Sequence, residues 1–239
     1  MTGPAYELKF LLTEPQAKEV QQRVGDRLAP DPHADRARGN TYETTTLYCD
    51  TAQFEVYRGV GLFNRRKHRV RRYGQAAWVF LERKTRWGDR VKKRRSLVPD
   101  TDLSLLASTL PSVLTPEGSD EQRWPGDWFH RHLQRRVLLP VCNIAYERVA
   151  LIGESVEGPL RLTFDRRIRG VLTRDWSVTP LGDGLPLLTG QVICEFKYQR
   201  YMPALFKEII QAMHLSPSPC SKYRTFLRVS GHAEGRPHA

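Results

Sequence analysis

The sequence predicts an α+β fold built around an antiparallel sheet of about eight strands. Three observations predict it. Roughly eight segments combine β-branched and aromatic residues with an alternation of period two. Neighbouring segments are often separated by short Gly-containing turns, such as Gly74-Gln75 and Gly88-Asp89, rather than by helices. The helical patterns are few and short.

The elements follow in order. Residues 6–12 read as a strand. Thr13 with Gln16 forms a capping-box signal for a helix that places Ala17, Val20, Val24 and Leu28 on one face. Residues 29–40 are rich in Pro, Asp and Arg and read as a loop. Residues 41–50, with four Thr and two Tyr, predict a strand, and a short helical stretch is expected over 54–58. Strands are predicted over 62–73, 77–85 and 90–98. A short helix is expected over 102–109, and a basic helix over 128–136. Between them, residues 110–127 are rich in Pro, Gly and Ser and read as an insertion, whose limits with its flanks are near 99–136. Strands resume over 141–151, 160–169 and 191–198, with a loop over 174–190. Pro203 opens a helix with an apolar stripe of Leu205, Phe206, Ile209, Ile210 and Met213. Residues 221–229 form a last strand or helix. The organisation is thus one domain over 1–230 and a disordered tail over 231–239.

Composition narrows the partners. Lys and Arg total 38 against 26 Asp and Glu, a net charge of +12, which recruits polyanions without saying which. The four cysteines are widely spaced and form no C-x-x-C or zinc pattern, so buried free thiols in a reducing compartment are expected. The first nine residues are too short and charged for a signal peptide, and no 18-residue apolar run exists. A cytoplasmic protein with no transmembrane segment is expected.

The strands hold the chemical signal. One face of each keeps presenting charge while the other stays apolar. Glu7 and Lys9 share a face. So do Arg65, Lys67, Arg69 and Arg71; Glu82 and Lys84; Tyr146 and Arg148; Arg161, Thr163 and Asp165; and Glu195 and Lys197. The plain alternative is a sheet with one solvated side. A solvated face would mix more Ser, Thr and Gln among its charges, whereas these strands repeat a charged pair at i and i+2 in both halves of the chain. If the charged face is concave, the cations converge on a channel that needs an anion, and phosphate matches arginine's bidentate donors. Glu7 and Glu82 read either as ion-pair partners or as ligands of a divalent cation. Glu195 is the stronger metal candidate, because its strand neighbours are mostly apolar and an unpaired charge there would be costly.

Nine stretches together resemble a known family. They are Glu7-Leu8-Lys9-Phe10, Leu47-Tyr48-Cys49-Asp50-Thr51, Arg69-Val70-Arg71-Arg72-Tyr73-Gly74, Phe80-Leu81-Glu82-Arg83-Lys84-Thr85, Lys93-Arg94-Arg95, Tyr146-Glu147-Arg148-Val149-Ala150, Arg161-Leu162-Thr163-Phe164-Asp165, Glu195-Phe196-Lys197 and Ser221-Lys222-Tyr223. In this order they resemble the VTC domain, the polyphosphate polymerase module of the vacuolar transporter chaperone complex, within the triphosphate tunnel metalloenzymes that include CYTH proteins. The resemblance implies an antiparallel eight-stranded β-tunnel with flanking helices. It implies that Lys9, Arg69, Arg71, Lys84, Lys93, Arg148, Arg161 and Lys222 bind phosphates, with Lys92 or Arg95 as alternatives to Lys93 in the basic run. It implies a metal, Mn2+ or Mg2+, on Glu195, with Glu7 and Glu82 as further candidates. Arg69, Arg71, Lys84, Arg148 and Glu195 are the candidate catalytic residues. Cys49 stands where the family commonly has Phe, which affects packing only. The sequence shows no counterpart of the eukaryotic complex's inositol-phosphate-sensing domain or membrane segments, so a stand-alone bacterial-type member is implied.

The function expected is transfer of the γ-phosphoryl group of ATP to a growing polyphosphate chain. The partners are then ATP and inorganic polyphosphate or triphosphate. A triphosphatase of the same fold is the first alternative; such hydrolases tend to begin with Glu-x-Glu-x-Lys, where this chain has Ala5-Tyr6-Glu7-Leu8-Lys9. A non-catalytic phosphate-chain or nucleotide sensor is the second. Nucleic acid is not expected, because the basic residues alternate with apolar ones inside strands instead of interleaving with exposed stacking aromatics. No Walker loop, G-x-S-x-G or H-E-x-x-H occurs, and His68, His130, His132 and His214 show no ligand-like pairing. Nothing in the sequence names a protein partner.

Overall fold

The computed structural model describes residues 5–63, 65–88, 90–108 and 124–232. Strand β1 (Ala5–Thr13) leads into helix α1 (Glu14–Val24), then β2 (Ala29–Pro30), β3 (Thr41–Asp50) and the one-turn helix α2 (Glu55–Arg58). Strands β4 (Arg66–Tyr73), β5 (Trp78–Trp87) and β6 (Arg90–Pro99) follow, then a 3-10 helix over Asp100–Ala107 and helix α3 (Asp127–Arg136). The chain continues through β7 (Leu139–Ser155), β8 (Gly158–Leu172), β9 (Leu185–Pro186) and β10 (Gln191–Tyr198), and ends in α4 (Ala204–Ala212) and α5 (Lys222–Val229).

All strands pair antiparallel in one sheet ordered β2-β7-β3-β4-β5-β6-β1-β10-β8-β9, and a further β7–β8 pairing closes it. Eight strands therefore form a ring, with the two-residue strands β2 and β9 added outside it. The expected eight-stranded tunnel with flanking helices is what the chain forms. The ring is uneven. β1 pairs with β10 over eight residue pairs, from Tyr6–Tyr198 to Thr13–Gln191, but with β6 only at Ala5–Val91 and Tyr6–Arg90.

Alternation along the strands sends apolar side chains outward, where two layers cover them. Phe10, Leu162, Phe164, Cys194 and Phe196 pack under α1 and α4, whose Ala17, Val20, Val24, Phe206 and Ile209 face them. The α1 entry is the capping box read from the sequence: Thr13 Oγ1 accepts from the Gln16 N–H, and Gln16 accepts from the Thr13 N–H at 2.9 Å. Leu47, Val70, Val79, Leu81 and Val98 pack beneath α3, with Phe129 and Leu133 buried against them. Trp128 stays at the layer's edge because its indole N–H donates to Ser96 Oγ at 2.9 Å.

Helix α5 is tied to the ring through β3. Tyr223 donates its hydroxyl to Asp50 Oδ2 at 2.6 Å, and the same buried carboxylate accepts the N–H groups of Thr51, Val56 and Tyr57. One Asp thus ties the end of β3 to both α2 and α5. The close approach also requires Gly170, where a Cβ would lie 2.4 Å from the Phe226 ring.

Several expectations on element limits are corrected. The strand predicted from residue 62 begins at Arg66, because Gly59 and Gly61 adopt left-handed φ and turn the chain through a 3-10 segment, Gly61–Phe63. The helix expected over 102–109 is the 3-10 helix Asp100–Ala107. The loops expected over 29–40 and 174–190 each contain a two-residue strand, β2 and β9. Strands β7 and β8 run past their predicted ends to a hairpin at Ser155–Gly158. Gly153 in that extension lets Leu28 pack where a Cβ would sit 2.4 Å from its methyl carbon. The centre of the expected insertion, 109–123, and most of the expected tail, 233–239, lie outside the described residues. Cys49, Cys142 and Cys194 are buried free thiols and Cys220 is half-buried. No helix among the described residues is long and apolar enough to cross a membrane.

Candidate functional site

The strand faces that alternate toward the inside meet in a cavity of about 760 Å3. Among the described residues, fourteen Lys and Arg side chains line it, against two carboxylates, Glu7 and Glu195. The cations come from every side: Lys9, Lys67, Arg69, Arg71, Lys84, Lys93, Arg148 and Lys197 from strands, and Arg58, Lys222, Arg224 and Arg228 from α2 and α5.

Each wall position has a physical support. Arg148 forks onto Asp165 through Nε–Oδ1 at 2.6 Å and Nη2–Oδ2 at 2.8 Å, and Lys222 Nζ reaches the same carboxylate at 2.5 Å. Both cations also lie over the Tyr146 ring, at 5.1 and 4.2 Å from its centroid. Arg69 is held by Glu82 at 2.6 Å. Lys84 Nζ meets Glu7 Oε2 at 2.5 Å, and Lys197 meets Glu195 Oε2 at 3.0 Å, with Lys9 at 4.0 Å from Oε1. Arg71 is buried, yet its hydrogen-bond partner is the neutral Thr46 hydroxyl at 3.2 Å, and Lys67 likewise rests on Ser221 Oγ at 2.8 Å. Neither has a carboxylate in salt-bridge contact among the described residues.

The electrostatics record this crowding. Burial, then the neighbouring Lys9, Lys84, Arg224 and Arg69, push the Lys67 ammonium well below its ordinary range. Burial is also the main force on Lys84, partly offset by Glu7, and leaves it at about 8. Lys93 is pushed down chiefly by Lys197. Burial raises the Tyr146 phenol, but Arg148, Arg71 and Lys222 outweigh it and bring the group to about 8. Burial likewise opposes ionisation of Glu195, but Lys197, Lys9 and Lys84 hold its carboxyl well below the carboxylate range, and Glu7 stays low for the same reason. The cavity wall is short of negative charge.

The sequence-nominated residues divide. Lys9, Arg69, Arg71, Lys84, Lys93, Arg148, Lys222, Glu7 and Glu195 come together on the cavity wall. Arg161 does not; it pairs with Asp31 at 2.7 Å and the Tyr42 hydroxyl at 3.1 Å. Glu82 lies behind the wall as the partner of Arg69. Of the residues the site adds, Lys67, Arg65 and Lys197 were signalled by their strand faces. Arg224 and Arg228 have only an i,i+4 spacing, in a segment that the sequence leaves open between strand and helix. Arg58 has no signal of its own.

Glu7 and Glu195 are near enough to act on each other's ionisation. Among the described residues no three His, Cys, Asp or Glu side chains gather as a cation cage. Two hard carboxylate donors on this cation-lined wall fit a divalent ion.

A closed antiparallel ring with an inward cation lining is the arrangement that the ordered motifs imply, and residues 4–230 match the family model of the VTC domain. The chain belongs to the VTC domain family. This VTC domain also resembles solved structures over most of its length. One is the adenylyl cyclase candidate HpAC1 from Hippeastrum, described as having a dominant triphosphatase activity, at 14% identity and a TM-score of 0.49, covering 95% of both chains. Another is a protein from Pyrococcus horikoshii OT3 at 11% identity and a TM-score of 0.46, covering 95% of this chain and 99% of that one. A third is an adenylate cyclase candidate from Vibrio parahaemolyticus at 12% identity and a TM-score of 0.46, with the same coverage. A search of the curated proteins found no match.

Proposed function

We propose that this VTC domain is a metal-dependent polyphosphate polymerase that transfers the γ-phosphoryl group of ATP to the end of a polyphosphate chain. The observation that supports it is the cation lining, contributed by strands on all sides of one cavity, in which both wall carboxylates are held by lysines. Phosphoryl transfer asks the protein mainly for alignment and charge neutralisation. The first strand, Ala5-Tyr6-Glu7-Leu8-Lys9, carries only one of the two glutamates with which the tunnel hydrolases tend to begin, which favours the polymerase.

In this reading a terminal oxygen of the acceptor chain forms a bond to the γ-phosphorus. The bond from that phosphorus to the β,γ-bridging oxygen breaks, and ADP leaves with the electron pair. Arg71 and Lys67, which lack a carboxylate in salt-bridge contact, bind phosphate oxygens directly. Arg69 and Arg148 are braced by Glu82 and Asp165 and keep their donors aimed as charge moves. Lys9, Lys84, Lys93 and Lys222 complete the phosphate contacts. Glu195, with Glu7, would hold the Mn2+ or Mg2+, which would supply charge neutralisation to the phosphates.

Incubating the purified protein with ATP and Mn2+ tests this. Long-chain polyphosphate supports the polymerase. Free phosphate without polymer means the triphosphatase, and binding without turnover means a sensor.

A further inference from the structure

The outer wall carries a second collection of cations, on the side of the sheet away from the tunnel. Strand register places Arg83 directly opposite Arg94 on β6 and opposite His68 on β4. Like charges facing each other across strands are destabilising unless something neutralises them. Helix α3 lies over this row and adds His132 and Arg136, while Arg66 lies two residues from His68 on the same face of β4.

No carboxylate among the described residues forms a salt bridge to Arg66, Arg83, Arg94 or Arg136. Aromatic rings hold three of them instead. The Arg94 guanidinium sits 4.4 Å from the centre of the Trp128 ring, Arg83 is 5.9 Å from the same ring, and Arg136 is 5.5 Å from Phe63. Arg83 Nη1 lies 2.8 Å from His132 Nε2. Hydrogen-bonding capacity is also unspent. His68 is 1% exposed, both of its ring nitrogens lack a partner, and Arg83 Nε lacks one too. The charges act on one another: after burial, the nearby arginines are what hold His132 down at about 4.

We infer that this outer wall is a second anion site, taking a compact inorganic phosphate anion such as pyrophosphate. The chemistry is specific in three respects. Guanidinium forks match phosphate oxygens in pairs. Donors from three strands and one helix converge around Arg83 instead of running along a groove, which suits a compact anion better than an extended acidic peptide. Aromatic faces orient the arginines without consuming their N–H groups. None of the six residues lines the tunnel cavity, so the site stands whether or not the polymerase reading does.

The test follows the His68 and His132 ring resonances by NMR while sodium pyrophosphate is added to the full chain. The His132 signal should move saturably in wild type and equally in Arg71→Gln, which disables the tunnel only. In Arg94→Gln/Arg136→Gln the same shift should need about tenfold more pyrophosphate, the loss of one or two charge-assisted hydrogen bonds. Arg94 is exposed, so Arg94→Gln alone leaves the core intact, and it should show part of the same weakening. A His132 signal that pyrophosphate leaves unmoved in wild type overturns the site. So does undiminished affinity in the double variant, or a shift produced by a poly-glutamate peptide but not by pyrophosphate.

Discussion

Lys84 on β5 and Glu7 on β1 are 2.5 Å apart, yet their strands share no backbone ladder; β6 lies between them in the sheet order. The ion pair therefore spans the seam at which β1 and β6 pair at two positions only. It serves the wall and the site together. Lys84→Ala should abolish phosphoryl transfer, a loss of at least about 100-fold in turnover, and so should Arg71→Ala. Far-UV circular dichroism of both variants should match wild type. Polymer synthesis at wild-type rate by either variant would remove these residues from the site.

The depressed cations give a proton signature. Burial and crowding bring Lys84, and the surrounding cations bring Tyr146, to about 8. A bound polyanion favours the protonated form of each, so both values rise and the complex takes up protons at pH 8. Tripolyphosphate affinity should therefore increase as pH falls from about 9 to 7. Calorimetry in two buffers of different ionisation enthalpy reads the uptake directly; zero or negative uptake contradicts this electrostatic account.

Asp165 links stability to acid. Arg148 and Lys222 hold its carboxyl far below the ordinary value in spite of burial. A carboxyl depressed on folding contributes its full stability above the unfolded value near 4, and loses it as pH drops through the folded one. Asp165→Asn should cost roughly 3–5 kcal/mol at pH 7, because Arg148 and Lys222 are left buried without their counter-charge. The cost should shrink in acid. Denaturant melts at pH 7 and pH 3 measure the difference.

The Asp50 clamp predicts a mechanical effect. Tyr223→Phe removes the hydroxyl that α5 gives to β3 and should destabilise by about 1.5–3 kcal/mol. Asp50→Ala leaves three N–H groups without their acceptor, two of them buried, and should cost more. Chemical denaturation ranks the two, and equal stability of both variants with wild type would mean that α5 is held by its apolar contacts alone.

How much of this could be read beforehand depends on what a strand period can encode. Period two assigned Lys67, Arg69 and Arg71 to one face, and that face is the tunnel wall. It says nothing about depth along the tunnel. Glu82 and Lys84 share a face, but register puts Lys84 at the cavity and Glu82 behind Arg69. Arg161 was assigned by the same rule, and its depth gives it to Asp31 and Tyr42. The segment 221–229 was ambiguous because Lys222-Tyr223-Arg224 alternates like a strand. What settles it as a helix is tertiary: the Ser221 cap, the Tyr223–Asp50 bond and Phe226 against Gly170.

The two-rung seam also sets an order on how this protein is made. β1 has almost nothing to pair with until β10, the last strand of the ring in chain order, has been made. The ring can therefore close only once β10 is present, a long-range step of the kind that folds slowly. Until then β1 lacks its main ladder, and a chain without residues 191–198 has no closed tunnel.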